Sequence, residues 1–151
     1  MWDLIKKYEG FRPVGYKCPA GQWTIGFGST RYKDGTPVQP GDTISLTDAE
    51  DLVDYYCKTN IIYPKGDFSS VQKDALCSLI YNIGQGNFDR STLKKCIEKQ
   101  DWENARKEWM RWTRANGKVL AGLVKRREEE CKLFFTNIIC TEINVQLIST
   151  V

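Results

Sequence analysis

Residues 16–28 read Tyr-Lys-Cys-Pro-Ala-Gly-Gln-Trp-Thr-Ile-Gly-Phe-Gly. Helical periodicity stops here, and glycine, aromatic and β-branched residues dominate as far as Thr43. The stretch is broken by Pro-Ala-Gly at 19–21 and by Asp34-Gly35, a strong hairpin-turn signal, so a small antiparallel sheet is predicted. In such a hairpin Tyr16 and Cys18 on one strand share parity with Thr24 on the other, and the thiol and hydroxyl point to one face.

Outward from this stretch the signals are helical. Leu4, Ile5 and Tyr8 lie on one face of a helix over 2–9, which Gly10 stops and Pro13 cannot extend. Thr47-x-x-Glu50 reads as a capping box opening a helix through about Thr59, and Ser69-x-x-Gln72 as another. The second helix spaces Ala75, Leu76, Leu79 and Ile80 for burial and ends near Asn82 and Gly84. Ser91 caps a short helix through Glu98. Asp101 caps one carrying Ala105, Trp109 and Trp112, and Gly117 separates it from a last helix at about 118–135. The fold class is α+β: a small antiparallel β-lobe over about 11–45 and a larger helical lobe over about 46–135, joined by the helix at 2–9. Residues 1–135 form one domain. The tail, 136–151, alternates Ile143, Val145 and Leu147 with polar neighbours and is expected to be a strand or a disordered extension.

Composition narrows the chemistry. The chain has 151 residues, 41% apolar and 27% charged, enough for one domain with a sizeable core. It has no histidine, which excludes Ser-His and Cys-His nucleophile pairs and histidine zinc sites. The six cysteines include no CxxC pair, so no zinc ribbon is expected and buried reduced thiols are the default. No apolar run is long enough to span a membrane, and the start is too short and polar for a signal anchor. Residues 1–91 carry 10 basic and 11 acidic side chains, residues 92–135 carry 12 and 7, and the tail carries only Glu142. The basic surplus of the helical half suits an anionic polymer, and equally a solvated surface.

Glu9 ends the first helix beside Tyr8. The negative end of the helix dipole and a partly apolar setting both disfavour its carboxylate, the property a general acid needs. One carboxylic acid at a helix end, with a thiol and a hydroxyl on a sheet, outlines a catalytic constellation. On its own this is a common surface arrangement.

The spacing adds to it. Glu9, eight residues, Cys18, five residues, Thr24, set in Glu-Gly-Phe-Arg and Ala-Gly-Gln-Trp-Thr-Ile-Gly-Phe-Gly, resembles the phage-type lysozymes of glycoside hydrolase family 24. Their pattern is Glu, eight residues, Asp or Cys, five residues, Thr. Ala75-Leu76, the run from Tyr81 to Phe88 with Asn82, Gly84 and Gly86, the Ser91-Thr92-Leu93 segment, and Gly122-Leu123-x-x-Arg126-Arg127-x-x-Glu130 also resemble that family, in order, over roughly residues 2–135.

The resemblance implies a lysozyme-like fold with the active-site cleft between its two lobes. It also implies hydrolysis of the β-1,4 bond between N-acetylmuramic acid and N-acetylglucosamine in peptidoglycan, without a cofactor or metal. Glu9 would protonate the leaving oxygen, and Cys18 and Thr24 would take the positions that address the opposite side of the sugar. Tyr16, Phe27, Gly28, Asn82, Gly84 and Gln85 are the expected substrate-binding positions. Asn82, Gly84 and Gly86 equally cap a helix and shape a turn. A phage endolysin of this kind would be a monomer held in the host cytoplasm, with no nucleic-acid partner, and released to the wall by a separate holin-like membrane protein.

Two departures stand out. Cys18 replaces the usual aspartate, and a thiol near its ordinary pKa of about 8.5 supplies little negative charge at pH 7. It is a thiolate base or nucleophile, a neutral thiol, or a small filler of an inactivated position. Ser29 stands before a threonine where the family usually has histidine. Arg127 interrupts the apolar stripe of Leu120, Val124, Cys131 and Phe134, so it needs a buried partner or must reach water with its head. The resemblance points to Glu9 as that partner, with Arg126 one position off the stripe. Two alternatives follow: a lytic transglycosylase working with a lone acid, or a peptidoglycan-binding domain that lost turnover when the aspartate position became cysteine.

Overall fold

The computed structural model describes residues 1–149, with side chains through 136 and at 138. The chain divides into two compact units, Met1–Ile61 and Ile62–Val151.

The first unit opens with helix α1 (Asp3–Glu9), capped at its end by Gly10, whose N–H donates to Lys6 O at 3.1 Å with φ at +70°. Strands β1 (Arg12–Lys17) and β2 (Trp23–Gly26) form the predicted antiparallel hairpin, and helix α2 (Leu46–Thr59) completes the unit. Ile5 is fully buried, while Trp2 Nε1 donates to Asp54 at 3.0 Å and Lys6 pairs with Glu50 at 3.2 Å, which docks α1 on α2. The cap of α2 is Ser45, which accepts from Asp48 N, so the helix starts earlier than the Thr47 box implied. Either hydroxyl can cap, and the first one outside the helix does so.

The hairpin register pairs Arg12 with Gly26 and Tyr16 with Thr24, so β1 carries extra residues between its two pairings. Those residues find other partners. Gly15 N donates to Asp42 O at 2.9 Å and Pro13 O accepts from Ile44 N at 2.9 Å. A Cβ at Gly15 would lie 3.2 Å from Gln39 O, which explains the glycine. The sheet is smaller than expected beyond Gly26. The Asp34-Gly35 turn joins only the isolated bridge between Arg31 and Pro37. Asp34 there accepts from Thr36 N and Oγ1.

The second unit holds helices α3 (Ser70–Ile83), α4 (Gln85–Asp89), α5 (Thr92–Glu98) and α6 (Trp102–Trp109), then strands β3 (Arg114–Ala115) and β4 (Lys118–Val119), and helix α7 (Ala121–Ser149). The caps Ser69, Ser91 and Asp101 are those predicted, and Ser69 with Gln72 forms the full capping box. Between α6 and α7 the sequence reading has only a break at Gly117. The chain instead makes a minimal hairpin, because Asn116 and Gly117 take φ values of 49° and 75°, which fits a two-residue turn. The tail is corrected as well: residues 136–149 continue α7 rather than forming a strand. Ile139, Ile143 and Leu147 repeat every four residues, and three alternating side chains cannot outweigh that period on an established helix. Cys57, Cys77, Cys96 and Cys131 are free and buried, and Cys140 lies outside the described side chains.

Two kinds of interaction hold this unit together. Trp109, Phe134 and Phe135 form an aromatic centre, with ring centroids 5.1 Å apart for Trp109 and Phe134 and 4.9 Å for the two phenylalanines. Beside it Glu130, with no exposed surface, accepts from Ser78 Oγ at 2.6 Å, Trp109 Nε1 at 3.0 Å, Arg126 Nε at 3.3 Å and Arg127 Nη2 at 3.0 Å. Arg126 also donates from Nη2 to Ser78 O at 3.0 Å. A buried carboxylate would be costly alone, and here both its oxygens are engaged by α3, α6 and α7.

Replacing Glu130 by Gln leaves two buried guanidinium groups without this carboxylate and should lower unfolding stability by about 3–5 kcal/mol in urea titrations. Gly26 combines a φ of +63° with a Cβ position 2.9 Å from Ala49 Cβ, whereas Gly35, at φ +86°, faces open space. Gly26→Ala should therefore cost about 1–3 kcal/mol more than Gly35→Ala in the same assay.

Candidate active site

The hairpin tip brings Cys18 and Thr24 together. Gly21 N donates to Cys18 O at 2.8 Å and Cys18 N to Gln22 O at 2.9 Å, closing the Pro-Ala-Gly turn with Gly21 at φ +83°. Because Tyr16 faces Thr24 across the strands, Tyr16, Cys18 and Thr24 stand on one side of the hairpin. Thr24 is buried and Cys18 half-buried.

The Cys18 thiol is shifted below its ordinary value. The largest cause is the Gln22 backbone N–H facing the sulfur; the Ala20 N–H and the Thr24 hydroxyl add to it, and partial burial opposes it. Each donor favours the charged form. Thr24 Oγ1 also lies 3.2 Å from Gln22 O. A hydroxyl has one proton, so Thr24 donates either to that carbonyl or to the sulfur, and a thiolate is the stronger acceptor. Two buried thiols behave oppositely: burial raises Cys96 and pushes Cys131 up to about 12.

Glu9 is the last residue of α1, half-buried, and joined to β1 through Gly10 and Phe11. Phe11 packs on Phe27 with centroids 5.6 Å apart. Phe27 is 4% exposed, so it anchors the hairpin from within the core, and its ring does not offer the sugar-binding surface expected of it. Gly28 supplies a φ of 90° to the turn in which Ile25 and Ser29 exchange backbone hydrogen bonds at 2.8 and 3.0 Å. Ser29 thus contributes through its backbone, which any residue provides.

In the second unit, Asn82 is exposed near the end of α3 and Gly84 caps that helix with φ 88°. Gln85 accepts from Ile62 N at 2.9 Å and donates to Ile62 O at 3.0 Å and Asp89 at 3.1 Å, so its amide staples the start of the unit rather than standing open to a ligand. Arg127 is fully buried and finds its counter-charge on its own helix. Its Nε lies 2.8 Å from Glu130 Oε2, although that N–H is not aimed at an acceptor, and Nη1 donates to Trp112 O at 3.4 Å. Glu130, three residues on, therefore meets the need for a buried partner that the apolar stripe creates, and an i, i+3 carboxylate is a near one. Burial pushes the Arg127 guanidinium below its ordinary range while Glu130 opposes the shift.

Arg12 had no role in the sequence reading. Its guanidinium carbon lies 4.1 Å from the centroid of the Tyr16 ring. The even spacing of Arg12 and Tyr16 along a strand was the available signal. No group of three or more His, Cys, Asp or Glu side chains suited to a metal occurs among the described residues. A separate groove of about 440 Å³, lined by Tyr32, Lys33, Ile44, Asp48 and Asp51 among others, contains none of the predicted site residues.

Residues 6–130 match the family described as phage lysozyme. An endolysin of Acyrthosiphon pisum secondary endosymbiont phage 1 is 40% identical over 142 residues, covering 87% of this chain and 92% of the relative. An endolysin of Bacillus phage B103 is 38% identical over 140 residues, and the match spans 89% of this chain and 52% of that longer protein. Among solved structures, an endolysin from Escherichia coli O157:H7 phage FAHEc1 superposes with a TM-score of 0.74 at 30% identity, covering 88% of this chain and 89% of that one.

A direct check on the site is thiol reactivity. Alkylation of Cys18 should rise with pH through a midpoint below that of an ordinary thiol and precede that of Cys96 and Cys131, which are raised above it. Thr24→Val, which removes one donor to the sulfur, should move that midpoint upward.

Proposed function

Since the chain belongs to the phage lysozyme family, we propose a division of labour among its residues. The protein is a muramidase-type glycoside hydrolase that cleaves peptidoglycan in host-cell lysis. Glu9, protonated, gives its proton to the glycosidic oxygen as that bond breaks. The Cys18 thiolate, with Thr24 beside it, faces the opposite side of the sugar, steadies the positive charge developing at the anomeric carbon, and takes a proton from the water that attacks there.

The observation that carries this assignment is the donor set around Cys18. Four groups, the backbone N–H of Gln22, Ala20 and Cys18 itself and the Thr24 hydroxyl, favour the negative sulfur, and a side chain that only filled space would gain nothing from them. The same feature separates this reading from a binding domain that lost turnover with its aspartate. A thiolate restores the negative charge that the carboxylate would have supplied.

The rest of the proposal concerns setting. No helix among the described residues is long and apolar enough to cross a membrane. In this reading the enzyme is a monomer of one lysozyme-like domain, held in the host cytoplasm, that reaches the wall when a separate holin-like protein opens the membrane. The basic residues of the C-terminal half supply attraction to the anionic wall.

Release of reducing ends from purified sacculi tests the chemistry. Glu9→Gln should lower it by about 10²–10⁴-fold. Cys18→Asp should keep most of the rate, while Cys18→Ser, whose hydroxyl stays neutral near pH 7, should lose most of it. Full activity of Cys18→Ser would make Cys18 a filler, and 1,6-anhydro products would indicate a transglycosylase.

A further inference from the structure

We propose that Arg12, laid over the Tyr16 ring, binds a carboxylate of the substrate and so sets which glycan strands are cleaved well; this rests on peptidoglycan being the substrate. Arg12 is exposed, yet its guanidinium carbon is held 4.1 Å from the Tyr16 centroid. Tyr16 faces Thr24 in the hairpin register, and Cys18 follows two residues later. A guanidinium stacked on that ring therefore lies along the same side of the hairpin as the proposed catalytic thiol and hydroxyl.

Three other cations of this unit are paired with carboxylates. Lys6 pairs with Glu50, Lys33 with Asp51 and Lys58 with Asp54. Among the described residues, no carboxylate lies within ion-pair distance of Arg12. The guanidinium is held over the ring, and no acceptor among the described residues engages its N–H donors, so they are open to a carboxylate, which a guanidinium can bind through two parallel hydrogen bonds. A lysine at this position would carry the charge without the planar edge. Peptidoglycan offers that ligand in two places: the carboxylates of the stem peptide, and the lactyl carboxylate of muramic acid where the peptide has been removed.

Initial rates and half-saturating concentrations for binding would be measured for the parent, Arg12→Gln and Arg12→Lys. The substrates are intact peptidoglycan, amidase-stripped glycan strands, and both after carbodiimide amidation of their carboxylates. Arg12→Gln should raise KM and the half-saturating concentration about tenfold, a loss of roughly one charge-assisted contact, with kcat within about twofold. Arg12→Lys should recover little of this. On amidated material the parent and variants should coincide. Loss confined to peptide-bearing strands assigns the stem peptide, and loss that persists on stripped strands assigns the lactyl group. An equal loss on amidated material, or no loss on any, would overturn the proposal. If the parent turned over none of the substrates, the muramidase reading would fail by itself, while the binding measurements would still decide whether Arg12 meets a carboxylate.

Discussion

A charge or polar group withdrawn from water has to be met by donors or acceptors that the chain itself supplies, and this constraint organises both units. In the second, it converges on Glu130. That carboxylate is reached by a serine from α3, an indole from α6 and two guanidinium groups from α7. None of these partners is local apart from the arginines, so the helices must arrive in one arrangement before the carboxylate is satisfied. The aromatic centre of Trp109, Phe134 and Phe135 packs on the same helices. Apolar burial supplies the driving force there, and the polar network selects the register in which it is collected.

In the first unit the same constraint works at smaller scale, with a chemical consequence. The turn at 19–21 folds so that backbone N–H groups face the Cys18 sulfur. Those groups complete a tight turn and also shift the thiol downward. At a family position usually held by a carboxylate, the environment thus moves a thiol toward its charged form.

Much of this was legible in the residues. The caps at Ser69, Ser91 and Asp101, the hairpin around 19–21 and the shared face of Cys18 and Thr24 all follow from local rules and reappear in the structure. What failed did so where two local rules competed. Ser45 and Thr47 both offered a cap, and the tail offered both a two-residue and a four-residue period. Arg127 was legible as a buried charge in need of a partner. That Glu130 meets this need was not, because helical spacing shows that Glu130 is near without showing that its carboxylate is turned toward the guanidinium.

The sequence by itself determined the family, the order of the helices and the candidate trio of acid, thiol and hydroxyl, since each depends on spacing along the chain. Only the tertiary structure decided the direction in which the Cys18 thiol shifts, the counter-charge of Arg127, the engagement of Gln85 with Ile62 and the position of Arg12 over Tyr16. The physical reason is common to all four. Each depends on which donor, ring or carboxylate lies within a few ångströms, and that distance is set by turns and packing that bring different parts of the chain together.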